Sequence, residues 1–300
     1  GGRNVRVPAD MHYHDFKRVY VDKSLTLKAW QENYSRKLLQ KSSSRILQAA
    51  AAGDKIAKAA NPEKTATPLK LNEALDQSTL NAVTELVRAA PEYIQNLWNL
   101  AYDHIKIADK EFGDTPYYSE ELRAIFFNLK SDTTSPIFKP YKDFFHEIGH
   151  LIDHWAKNYG GYLSVTYRGG IFAKTLKEEA EDRIKAVKIA INAETNFDAH
   201  QELSKEILKI LPYSIQFEIS DIWHGASERK VHGIAYHRKP DYWKKDGKAN
   251  IPKEAFAHMF GASIYNPDSA EKIEHYFPRS YSIFKEMLND FVQEMIKNVR

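Results

Sequence analysis

Apolar side chains recur along most of this 300-residue chain at the three- and four-residue spacing of amphipathic helices. In the first such stretch, residues 10–50, Phe16, Val19, Leu27, Trp30, Leu38 and Leu47 form an imperfect stripe on a Lys/Arg/Gln-rich background. That apolar face needs a partner. Ala49–Ala60 is alanine-rich around Gly53, and the turn-forming run from Asn61-Pro62 to Thr67-Pro68 marks a linker. The pattern thus predicts a helical extension over residues 1–68 and a main domain over residues 69–300.

Helical spacing resumes at Asn72 through Leu80, Val83, Leu86 and Val87, then restarts at Pro91 through Ile94, Leu97, Leu100, Ile105 and Ile107. Arg123–Lys130, reading RAIFFNLK, is the best strand candidate. Placed at a sheet edge it could pair with an extended peptide through its backbone; as an ordinary core strand it could not. Ser131–Pro140 forms a loop. Thr175–Ala193 and Asp198–Leu211 read as two charged amphipathic helices, the second ended by Pro212.

The rest is organised around Tyr141–Trp155, YKDFFHEIGHLIDHW. At about 100° per residue, Phe144, Ile148, Leu151, Ile152 and Trp155 share one side of a helix and His146, His150 and Asp153 the other. Asn158-Tyr159-Gly160-Gly161 stops it. Histidines at i and i+4 lie one turn apart, so both imidazoles can reach one ion at the zinc–nitrogen distance of about 2.0–2.1 Å. Glu147 then points beside the ion, where a general base must stand to take a proton from an activated water. Composition alone produces His-Glu-x-x-His by chance in roughly a few per cent of such chains.

Composition narrows the chemistry. With 43% apolar and 12% aromatic residues the chain can fill a substantial core. No cysteine is present, so a transition-metal site must be built from His, Asp and Glu, and disulfides and cysteine nucleophiles are excluded. No run of about 18 apolar residues is long enough to span a membrane, and the N-terminus lacks the apolar core of a signal peptide. Residues 1–70 carry 14 Lys and Arg against 6 Asp and Glu, a balance of +8, which leaves 29 against 34, or −5, for the remainder. That basic excess suits DNA, an acidic protein or anionic lipid, and equally an ordinary solvated helical face.

Two imidazoles leave an ion half bound, so a third ligand is expected downstream. Ala156 stands ten residues after His146, where a metzincin needs its third histidine, and excludes that pattern. The best candidate is Glu254 in IPKEAFAHMF, a helix opened by Pro252 on which Glu254 and His258 lie opposite Phe256, Met259, Phe260 and Ile264. An isolated glutamate there would be a first-turn residue stabilised by the helix dipole. Between the two helices, Ser220–Gly225 and Val231–Trp243 are rich in His, Tyr and Trp and read as a loop lining a polar, aromatic cleft. Within it His237 and Tyr242 are candidate donors to a developing oxyanion, although each could be a packed or surface residue.

His146-Glu147-Ile148-Gly149-His150-Leu151-Ile152-Asp153, followed about a hundred residues later by Glu254-Ala255-Phe256-Ala257, resembles the gluzincin arrangement of lethal-factor-like zinc peptidases. Asn266-Pro267-Asp268-Ser269-Ala270, Phe277-Pro278 and Phe284 resemble the end of that domain. Ser220-Asp221-Ile222, Gly233, His237, Tyr242-Trp243 and Tyr117-Tyr118-Ser119 are similar to zincin domains of phage minor head (minor capsid) proteins. The resemblance covers roughly residues 80–300. It implies zinc bound by His146, His150 and Glu254, Glu147 as base, and Asp153 supporting the ligands from behind. The peptidases carry a glutamate where this chain has His258 and a tyrosine where it has Gly247.

The expected fold is therefore α+β and mainly helical, zincin-like, with a small sheet, an active-site helix and an N-terminal helical extension. The expected activity is zinc-dependent hydrolysis of a peptide or protein substrate. The alternatives are a non-catalytic phage head-assembly component, docking on portal, capsid or DNA through residues 1–70, and a secreted or injected toxin-like protease. Location follows function: virion, host cytoplasm or delivered toxin.

Overall fold

The computed structural model describes residues 68–109, 116–127, 132–133, 138–155, 161–210, 212–231, 233 and 240–299. The chain divides after Thr65, and everything described belongs to the unit Ala66–Arg300. The expected basic extension lies outside the described residues except for Pro68, as do His237, Ala156 and most of the Asn158–Gly161 helix stop.

Among the described residues are twelve α-helices and one four-stranded sheet, a mainly helical α+β arrangement. β1 (Leu69–Lys70), α1 (Leu71–Ala74), α2 (Gln77–Ala89) and α3 (Glu92–Ala101) open the unit. Asp76 accepts a hydrogen bond from the Thr79 N–H at 2.8 Å and starts α2; Pro91, at the N-cap, starts α3. The expected run to Ile107 breaks after Ala101: a 3₁₀ turn leads into β2 (Lys106–Asp109), which pairs antiparallel with β1 and parallel with β4 (Ala124–Phe127). β3 (Tyr117–Ser119) pairs antiparallel with β4, giving the order β1-β2-β4-β3. The strand candidate is thus an interior strand, and the sheet edges among the described residues are β1 and β3. All four β4 residues are buried. Ile125 and Phe127 face the main core, where the Phe127 ring meets Phe144 at 5.1 Å, while Phe126 stacks on Tyr117 on the opposite face.

α4 (Lys142–Trp155) follows. Its N-terminus is closed by Asp132, whose oxygens accept the N–H groups of Asp143 and Phe144 at 3.0 and 3.1 Å. α5 (Leu163–Thr166), α6 (Ile171–Ala190), α7 (Asn196–Leu208), α8 (Tyr213–Ala226), α9 (Pro240–Lys244), α10 (Asn250–Tyr265), α11 (Pro267–Tyr276) and α12 (Pro278–Val299) complete the unit. Ser220–Gly225, expected in a loop, belongs to α8. Buried Glu179 on α6 caps α12 from a distance, accepting from the Arg279 and Ser280 N–H groups at 2.6 and 2.8 Å. No described helix is long and apolar enough to cross a membrane.

α10 is the hub, packing along α4 and touching α8, α11 and most other helices. It is not amphipathic in the expected sense: Glu254 to Tyr265 are all buried, so the side carrying Glu254 and His258 is covered as fully as the side carrying Phe256, Met259 and Phe260. The polar side meets the histidine face of α4. Two glycines allow that approach. A Cβ on Gly149 would lie 2.7 Å from the Ala257 Cα, and one on Gly261 would lie 3.2 Å from the His146 backbone nitrogen. Around this contact, fully buried Phe144, Phe145, Ile148, Phe256, Met259 and Phe260 each contribute about 1.5–3 kcal/mol of apolar burial.

Candidate metal centre

His146 and His150 stand one turn apart on α4, their ring centroids 4.8 Å apart. Across the interface Glu254 rises from the first turns of α10 at 1% exposure. Its Oε2 lies 3.4 Å from His146 Nε2 and its Oε1 lies 3.6 Å from His150 Nε2. Ligands about 2.1 Å from a tetrahedral ion are about 3.4 Å apart, so the two edges match one ion held by all three side chains. The donor set His146, His150 and Glu254 could therefore hold a metal ion. Burial, with help from His258 and His150, pulls the His146 imidazole down to about 4, which keeps its ring neutral and able to ligate.

Glu147 is 8% exposed and lines the same cavity, of about 850 Å³, as the three donors. Tyr242 is also at the site. Its hydroxyl donates to Glu254 Oε1, and its carbonyl accepts from Asn250 Nδ2 at 2.8 Å, which ties α9 to the start of α10. Of the two oxyanion-donor candidates, Tyr242 is thus beside the ligands, and His237 lies outside the described residues. Asp153 is fully buried, but Ser164 engages both of its oxygens, by N–H at 2.7 Å and by Oγ–H at 2.6 Å, so it caps α5. Burial raises its carboxyl to about 6 against those bonds.

Behind His146 lies a polar cluster that sequence reasoning missed. His258 packs its ring 4.4 Å from that of His146, with Glu218 on its Nδ1 and Asp221 Oδ2 2.8 Å from its Nε2. Glu218 in turn accepts from the Tyr265 hydroxyl. Burial alone would lower His258, but the two carboxylates outweigh it and hold the imidazole up at about 10. Burial likewise opposes the charge of Glu218, and His258 overrides it, bringing the carboxyl down to about 2. A signal was present: Ile215, Ile219, Ile222 and Ala226 after Pro212 repeat at helical spacing and carry Glu218 and Asp221 on the same helix.

The cavity wall is completed by Pro116, Tyr117 and Tyr118 of the sheet edge and by Phe138, Phe217 and Tyr162. Lys142 is buried there over the rings of Phe138 and Phe217, at 5.0 and 4.5 Å, and bonded to Asp143 at 2.5 Å. Lys253 lies 3.4 Å from the Tyr162 ring centroid and 3.9 Å from Glu120.

Compared with known proteins, the chain matches no family model, no curated protein and no solved structure.

Proposed function

We propose that the protein is a zinc-dependent, zincin-like endopeptidase acting on extended peptide segments. One observation carries this reading: two imidazoles from one helix and a carboxylate from another meet at tetrahedral spacing in a cavity that Glu147 also lines. His146, His150 and Glu254 would hold zinc, which when bound polarises a carbonyl and lowers the pKa of a water toward about 7. Glu147 takes the proton of the attacking water and delivers it to the leaving amine, a contribution of about 10²–10⁴-fold. Tyr242 would stabilise the developing oxyanion by turning its hydroxyl to it from Glu254 Oε1, to which it donates. Among the described residues β3 is an edge strand of the sheet, and its Tyr117 and Tyr118 line the cavity, so an extended substrate would lie alongside it.

The test is a peptide-library and protein-substrate screen with zinc-loaded wild type and Glu147→Gln. Cleavage by the wild type, lost in Glu147→Gln at unchanged zinc content, supports the reading. Absence of cleavage by zinc-loaded wild type refutes it and leaves the fold as a binding module, of the kind a phage head-assembly component would use.

A further inference from the structure

The polar cluster behind His146 is not used by the chemistry just described, although Asp221 and His258 line the same cavity as the three ligands. Glu218 has both oxygens committed, one to His258 Nδ1 and one to the Tyr265 hydroxyl. This is the arrangement of a carboxylate that orients a ligating imidazole, fixing the Nδ1 proton and aiming Nε2. Nε2 is aimed at Asp221 Oδ2, 2.8 Å away. Adjacent ligands about 2.1 Å from a six-coordinate ion are about 3 Å apart. Asp221, Glu254 and His258 each offer a donor atom, all within 4.8 Å of one another. His146 packs ring to ring with His258 at 4.4 Å, so the two donor groups adjoin inside the same cavity.

We propose that Asp221, His258 and Glu254 form a second divalent-cation site, with the Glu254 carboxylate shared between this ion and the one at His146 and His150. The proposal rests on the metal reading above and extends it from one ion to two. Glu254 belongs to both groups of donors, the one with His146 and His150 and the one with Asp221 and His258. Two carboxylates and one imidazole suit Mn²⁺ or Zn²⁺. Occupation displaces the Nε2 proton of His258 to solvent, so the second ion binds more weakly than the first.

The experiment is a titration of chelator-treated full chain with ZnCl₂ and with MnCl₂, read by metal content after desalting and by calorimetry. Wild type is expected to take up two equivalents per chain, Asp221→Asn one, and Glu147→Gln two. Saturation of wild type at one equivalent overturns the proposal while leaving the metallopeptidase reading intact; no uptake at all overturns both. Two equivalents retained in Asp221→Asn also overturn it, because the second ion then sits elsewhere. Electron paramagnetic resonance of the Mn²⁺-loaded wild type, which needs no variant to fold, must show two exchange-coupled ions; two isolated Mn²⁺ signals refute the shared carboxylate.

Discussion

A methyl group at position 149 tests how the two ligand-bearing helices are held. In Gly149→Ala the new carbon would lie 2.7 Å from Ala257 Cα and 3.2 Å from both its Cβ and its carbonyl oxygen. Carbon–carbon contacts settle at about 3.5–4.0 Å, so α4 and α10 must part by about 1 Å. The nearest atom is backbone on a helix packed from all sides, so no side-chain rotation relieves the clash. Alanine favours the helix by about 1 kcal/mol, and overpacking costs about 1–3 kcal/mol, which leaves a net loss of up to about 2 kcal/mol. For a domain of this size each kcal/mol lowers Tm by about 2–4 °C. The same displacement stretches the 3.4 and 3.6 Å gaps between the imidazoles and Glu254, and zinc affinity is expected to fall about 10–100-fold. The assays are thermal melting in chelator and a competition titration for zinc. A variant as stable as wild type with unchanged zinc affinity would refute the claim that this close approach builds the site.

Glu254→Gln keeps the shape of the ligand and removes its charge, so zinc content after desalting should fall well below that of wild type, whereas Glu147→Gln retains it. Tyr242→Phe should lower kcat by about 10²–10³-fold with little change in KM, as loss of an oxyanion donor does; a rise in KM alone would make Tyr242 a binding residue. Glu179→Ala strips the cap from α12 and leaves the buried Ser280 N–H and the part-buried Arg279 N–H without this acceptor, costing about 1–3 kcal/mol in urea denaturation. In chelator, the folded-state pKa of His258, about 10, lies above its ordinary 6.5. The stability it contributes is therefore complete below about pH 6.5 and lost as pH rises toward 10, on the order of a few kcal/mol. The Tm gap between wild type and His258→Gln should close over that range; a constant gap would show that His258 acts by packing alone.

The candidate donors were legible because their spacing is local. His146, Glu147 and His150 declare themselves within one turn, and Glu254 follows from Pro252 and the apolar positions opposite it. The strand order was not legible. RAIFFNLK has the composition of a strand, but whether it lies at an edge depends on β2 and β3, and β2 hides in what reads as the tail of a helix. α8 was missed for a different reason. Its Gln216, Glu218, Ser220, Asp221 and His224 are all buried, so the contrast between a polar and an apolar face that usually reveals a helix is broken by polar groups satisfied inside the protein. The same buried polarity made α10 look two-sided when its surroundings bury every residue from Glu254 to Tyr265.

The hub position of α10 sets an order of assembly. While the chain is being synthesised, the imidazoles of α4 emerge about a hundred residues ahead of the carboxylate that completes their donor set, and that carboxylate lies on the helix most dependent on neighbours from both ends of the domain. A chain truncated before α10 lacks Glu254, and the candidate donor set is then reduced to the two imidazoles of α4. For a protein proposed to cut peptides, a truncated chain would then be expected to lack the proposed activity.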